Sequence, residues 1–308
     1  MFTYVNIKKN LRFFHILNPR KDDIMIPLHT VDFGLGGGSL LQLKNRCHTQ
    51  MMAYRIVTPT GKIVMIDGGN YKNAPEGETL YRLLQEHDGH VDAWFITHPH
   101  SDHLGAVAYI LEHYGDQITV DHFYFNFPEP NDPWILKANP PIDIDCTNHF
   151  LQLLQEQNRS CVRVDKGFVL DLGMKFEILN EPLRDYERYE DTNDISICIK
   201  AYFPNKTVLF TGDLGEAPQN NALQDAGDKI RCDLVQMAHH GQNGVGKDFY
   251  YATGAKAFLW PTPDWLWVND AGDGPGTGPW RTLETRQWMT ELPNAQHFIG
   301  KDGDYLLT

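Results

Sequence analysis

Four short apolar runs, each leading to a polar residue that can hold a proton or a metal, constrain this chain more than any other feature. Residues 62–66 lead to Asp67, 91–96 to His98, 207–210 to Asp213 and 234–238 to His239. Near-continuous apolar runs of this length read as strands buried on both faces. After the second run, Ser101 stands as a helix N-cap, and Leu104, Val107, Ala108 and Leu111 recur at helical spacing as far as Gly115. The pattern predicts an α/β fold of layered sheets with its chemistry at the strand ends.

The chain has 308 residues, 42% of them hydrophobic, enough to bury the core of one large domain. A single domain over residues 1–308 is expected, with residues 1–30 as an N-terminal extension. No apolar run approaches the roughly 20 residues needed to cross a bilayer, and no secretory signal is evident in residues 1–23. Cys47, Cys146, Cys161, Cys198 and Cys232 are scattered and never paired at Cys-X-X-Cys spacing. They indicate neither a disulfide framework nor a thiolate zinc knot, and a cytoplasmic location is the expectation. The formal net charge of −13 disfavours a polynucleotide ligand, because long nucleic acids are held mainly by Lys and Arg. The expected partner is a small-molecule substrate, with no membrane and no nucleic acid.

The chemistry is concentrated in Thr97-His98-Pro99-His100-Ser101-Asp102-His103, where four potential ligands lie between a buried strand and a helix start. Imidazole and carboxylate suit Zn²⁺, and also Fe or Mn, and the lack of nearby cysteine argues against a closed structural site. Two histidines in an extended turn can face one ion, while Asp102 and His103, on the first helical turn, can face a second.

The His98-X-His100-X-Asp102-His103 pattern, preceded by Asp67-Gly68-Gly69, resembles the first motifs of the metallo-β-lactamase superfamily. Thr211-Gly212-Asp213 and His239-His240-Gly241 resemble its later motifs, so that the likeness runs over residues 57–245. Weaker signs are Asn193-Asp194-X-Ser196 and the closing Gly300-Lys301-Asp302-Gly303-Asp304 turn. They resemble the branch that holds the soluble domain of competence-type DNA-uptake proteins and the phosphorylcholine esterases. The Gly-His-Thr type of motif that supplies a third histidine to the first metal is missing; His113, His122 and His149 lie in the interval without that context.

The resemblance implies a four-layer αβ/βα sandwich and one or two zinc ions, with Mn or Fe as alternatives. It places His98 and His100 on the first metal, Asp102, His103 and His240 on the second, and Asp213 between them. Asp67 would orient a ligand histidine. Asp102 would handle the attacking water, and His239 would donate a proton or hold a substrate oxygen. The implied activity is hydrolysis by a metal-activated hydroxide, on a phosphodiester of a small or headgroup-like substrate. An ester, lactone or thioester hydrolase with the same site is the alternative, as is a low-turnover metal-binding regulatory protein.

Other features are assigned ordinary roles. The glycine-rich 34–39 segment reads as a turn, residues 128–141 and 272–278 as long loops, and the acidic stretch 187–194 as a solvated loop. Trp260, Trp265, Trp267, Trp280 and Trp288 read as a core layer or an oligomer interface, with an aromatic wall over the site as the sharper alternative.

Overall fold

The computed structural model describes residues 26–70 and 74–308, so residues 1–25 of the expected extension lie outside the described residues. Residues 28–30 of that extension belong to the edge strand Leu28–Val31, which pairs in parallel with Asp304–Leu307. Two large sheets form the centre of the molecule. The eight-stranded one runs, in spatial order, through Leu28–Val31, Asp304–Leu307, Ser39–Gln42, Ala53–Val57, Ile63–Asp67, Ala93–Phe95, Phe123–Phe125 and Cys161–Arg163. The seven-stranded one runs through Val169–Asp171, Lys175–Ile178, Ile199–Tyr202, Thr207–Phe210, Leu234–Gln236, Ala257–Trp260 and Gln296–Ile299.

Alternation along the strands sets the layers. In Ile63–Asp67, Val64 and Ile66 face the second sheet and pack with Val208, Phe210 and Leu234, whereas Ile63 and Met65 face the helices on the outer side. The second sheet does the same, sending Ala257 and Leu259 inward and Phe258 and Trp260 outward. Each such aliphatic or aromatic side chain contributes about 1.5–3 kcal/mol by leaving water. A one-residue slip would exchange the two layers, so the register is strongly fixed. The outer helical layer on the first sheet is α1 (Ala74–Gln85), α2 (Ser101–Tyr114), α3 (Pro133–Ala138) and α4 (Pro141–Glu156). The result is the αβ/βα sandwich that the resemblance implied. No helix among the described residues is long and apolar enough to cross a membrane.

Two local expectations are corrected. Ser101 is the first residue of α2 and not its cap; His100 takes the cap position, and the Ser101 N–H donates to Asp143 Oδ1 at 2.8 Å. A carboxylate from α4 thus does what a local side chain usually does. The 128–141 segment is not all loop, because Asp132 caps the short helix α3 by accepting from the Trp134 N–H at 2.8 Å.

Candidate metal centre

The chemistry-bearing residues sit where parallel strands of both sheets end, the edge at which open α/β sheets commonly bind ligands. Ile63–Asp67 stops at Asp67, whose φ of 54° turns the chain sharply. The Gly68 and Gly69 N–H groups then donate to His103 O at 2.6 and 3.2 Å. A Cβ on Gly68 would lie 2.4 Å from Val107 Cγ2, so only glycine lets this turn rest on α2. The carboxylate of Asp67 is used up inside the protein: Oδ1 accepts from Thr97 N, and Oδ2 from Thr97 Oγ1 and His103 Nδ1, each at 2.8 Å.

The second sheet contributes single residues from separate turns. Gly212, at φ 54°, lets the turn after Thr207–Phe210 press against the first sheet; a Cβ there would meet Thr97 Cβ at 2.8 Å. Asp213 follows, its N–H donating to Ser196 Oγ at 3.0 Å. His239 and His240 are both left-handed, with φ of 51° and 53°. For a residue with a Cβ that costs roughly 1–2 kcal/mol, and strain of this kind persists where the surroundings over-determine it. Here the His240 ring is fixed by its Nδ1–H donating to Pro261 O at 2.9 Å.

Those contacts decide the tautomers. The Thr97 hydroxyl gives its proton to Asp67, so toward His98 Nδ1, 3.1 Å away, it can only accept. In the neutral ring His98, His103 and His240 therefore each carry the proton on Nδ1, which leaves Nε2 as the atom each can offer to a cation. All three Nε2 atoms and Asp213 Oδ1 are buried with no hydrogen-bond partner among the described residues. Yet they crowd together: His103 Nε2 is 3.2 Å from Asp213 Oδ1, and His240 Nε2 is 3.1 Å from Asp102 Oδ2 and 3.4 Å from Asp213 Oδ2. One donor atom each from Asp102, His103, Asp213 and His240 lies within 4.8 Å of the others. Leaving a buried polar atom unpaired costs about 1–3 kcal/mol, and a divalent cation would remove that cost for the His103, Asp213 and His240 atoms together. The donor set fits such an ion.

The charges respond to this crowding. Burial pulls the His103 imidazole down, but the Asp213, Asp67 and Asp102 carboxylates outweigh it and hold it well above its usual range. Burial also opposes a proton on His240, yet Asp213 and Asp102 push it up to about 9. His98 is held well below the usual range, by burial first and then by His103 and His100. Asp102 and Asp213 are both driven below the carboxylate range, burial being outweighed by His103 and His240. Asp67, by contrast, is raised by burial in spite of His103 and Thr97.

His100 stands beside that group and not within it. Its ring is 4.7 Å from the His98 ring, and its Nε2 is held by Thr192 Oγ1 at 2.6 Å and Asn139 Oδ1 at 3.1 Å. With Nε2 as the donor to Asn139, the His100 lone pair is on Nδ1. His239 lies at the mouth, its Nε2 3.9 Å from Asp213 Oδ2, and burial lowers its proton affinity.

Several participants escaped the sequence reading. The acidic stretch was expected to be solvated, but its end turns inward: Thr192 and Asn193 are buried, and they reach His100 and His239. The Asn193-Asp194-X-Ser196 segment was the signal that pointed there. Gln50 donates to Asp102 Oδ2 at 2.9 Å, and nothing local in the sequence marks it. Of the tryptophans, Trp260 and Trp267 are core, as one expectation had it, while Trp265 packs obliquely on Trp280 at 5.0 Å with His48 at 6.4 Å.

The family model described as the metallo-beta-lactamase superfamily matches residues 50–244. No curated protein sequence matches the chain. Among solved structures, CmlA, a diiron beta-hydroxylase from Streptomyces venezuelae, is similar at a TM-score of 0.53 and 13% identity, over 88% of this chain and 54% of its own. The metallo-beta-lactamase fold protein YhfI from Bacillus subtilis is similar at 0.47 and 12% identity, over 87% of this chain and 98% of its own. A diphosphatase from the PhnP family gives 0.45 and 16%, over 86% and 96%. The order of the motifs, the sandwich and the matched residues agree, and the chain belongs to the metallo-beta-lactamase superfamily.

Proposed function

We propose that this protein is a metal-dependent hydrolase acting on a phosphodiester in a small or headgroup-like substrate. The observation that carries the reading is the set of buried, unpartnered donor atoms on His98, His103, His240 and Asp213. When bound, divalent cations would supply Lewis acidity and bring the pKa of a water ligand to about 7. His98 and His100 would hold one ion, Asp102, His103 and His240 a second, with Asp213 between them; zinc is the first expectation, and Mn or Fe are compatible with the same donors.

The chain's own groups do the rest. Asp67 fixes the His103 ring through Nδ1, which keeps Nε2 aimed inward. Asp102 has Oδ2 engaged by Gln50, which leaves Oδ1 to take a proton from the attacking water. His239, beside Asp213 and with its proton affinity lowered by burial, would hold a substrate oxygen or donate a proton to it. The buried donor atoms favour a compact reacting group, and the net charge of −13 supports a small molecule over a polynucleotide. Single-domain organisation and a cytoplasmic setting belong to the same reading, as does a place in the competence-type and phosphorylcholine esterase branch, supported by the Asn193 and Gly300 segments.

The test is elemental analysis of protein purified without chelator, with turnover of a chromogenic phosphodiester measured against lactones and thioesters. Bound metal with phosphodiester turnover is expected. Metal with turnover of a lactone or thioester alone would move the substrate class to the ester alternative, and no bound metal would overturn the hydrolase reading.

A further inference from the structure

The sequence leaves the first ion position, that of His98 and His100, one donor short. The tertiary structure brings a side chain to it from a segment without a histidine. Asn193 is 6% exposed, and its Oδ1 is buried with no hydrogen-bond partner among the described residues. Its surroundings are fixed on four sides. Thr192, one residue earlier, places Oγ1 2.6 Å from His100 Nε2. The Asn193 Nδ2 group lies 3.4 Å from His239 Nε2 and donates toward it. Ser196 Oγ donates to Asn193 O at 2.7 Å and accepts from Asp213 N at 3.0 Å. Ile197 N donates to Thr97 O at 3.0 Å, immediately beside His98. The segment that carries the amide is therefore tied to His100, to Asp213 and to the residue before His98, with the amide nitrogen directed to His239 and its oxygen buried and unpaired.

An amide oxygen buried without a partner is unfavourable unless something accepts its lone pairs. We propose that Asn193 Oδ1 is the third donor of the first ion position, beside His98 Nε2 and His100 Nδ1. This rests on the metal-centre reading above. A neutral carbonyl oxygen is a harder and weaker donor than imidazole. The first position is then the weaker of the two and the more tolerant of oxygen-preferring ions such as Mn²⁺, while the Asp102, His103 and His240 position fills first. Thr192 and His239 act as positioning residues, one fixing the His100 ring and the other the amide.

The test uses Co²⁺ alone as the probe, titrated into chelator-treated full-length protein and followed by its visible d–d absorption and by calorimetry. The wild type is expected to take two equivalents, the second at least about tenfold weaker than the first. Asn193→Leu should keep the tight equivalent and weaken the other by a further factor of about ten or more, with the folded circular dichroism spectrum retained. Asn193→Asp, which keeps the oxygen and adds charge, should tighten the weak equivalent. Two equivalents with unchanged affinities in both variants would overturn the assignment, as would a single equivalent in the wild type. Should Asn193→Leu not fold, Asn193→Asp decides alone. Failure of the wild type to bind any Co²⁺ is a different result, and it removes the metal centre itself.

Discussion

Among the described residues, two places gather histidine and aspartate closely enough to hold a cation, and they differ in nearly everything else. At the strand ends, Asp102, His103, Asp213 and His240 are buried, and no lysine or arginine pairs with them among the described residues. At the opposite ends of neighbouring strands, His90, Asp92 and Asp121 form a second group in which Lys62 Nζ is already 2.8 Å from Asp92 Oδ1 and half of the lysine side chain is in water. His90 and Asp121 are likewise about half exposed, 3.0 Å apart. The composition of the two groups is similar; what differs is desolvation and an internal countercharge. A solvated pair with its own lysine contributes little and needs no ion, whereas a buried set with unpaired lone pairs is unfavourable until a cation enters.

The largest expected effect that sharpens this comparison is that of Asp213→Ala. It removes the carboxylate shared by His103 and His240, and it should abolish stoichiometric metal and lower kcat/KM by at least about 1000-fold, roughly 4 kcal/mol of transition-state stabilisation. Elemental analysis beside the phosphodiester assay reads both. Next comes Asp67→Ala, which leaves every proposed ligand in place but frees the His103 ring; metal affinity should fall by about 10–100-fold in a competitive chelator titration.

The proton is the third lever. In the metal-free protein the His240 pKa is raised to about 9, against about 6.5 when unfolded. The stability it contributes is therefore fully present below about pH 6.5 and lost as the pH rises through about 9. An entering ion must displace that proton, so apparent affinity should climb by up to about tenfold per pH unit toward pH 9 and then level off. A flat affinity profile from pH 6.5 to 9 would show that His240 holds no proton there. The smallest effect belongs to the exposed group: Asp121→Ala should leave metal content unchanged and stability within about 0.5 kcal/mol in denaturant unfolding. Loss of bound metal in that variant would break the contrast between the two clusters.

The first sheet and the second also differ in how far their contributions to the site can be read locally. Thr97 to His103 is continuous, and the strand before it and the helix after it were both legible as periodic patterns, because strand burial and helical spacing are properties of a few adjacent residues. The second sheet supplies Asn193, Asp213 and His240 from three separate turns. Asp213 and His240 were legible because each stands after an apolar run in a short motif that resembles the superfamily's. Asn193 lay in a stretch whose acidity pointed to solvent, and its inward turn depends on the contact of Ile197 with Thr97 across the two sheets.

The sequence by itself determined the α/β class, the strand ends that carry chemistry, and the types of donor available, since these follow from local periodicity and side-chain chemistry. Which nitrogen each histidine presents, and which distant side chains and carbonyls hold its ring, were decided only by the tertiary structure. Each depends on a hydrogen-bond partner distant in the chain: Asp67 for His103, Pro261 for His240 and Asn139 for His100. Such partners are chosen by how the two sheets pack, and packing is not encoded in the spacing of adjacent residues.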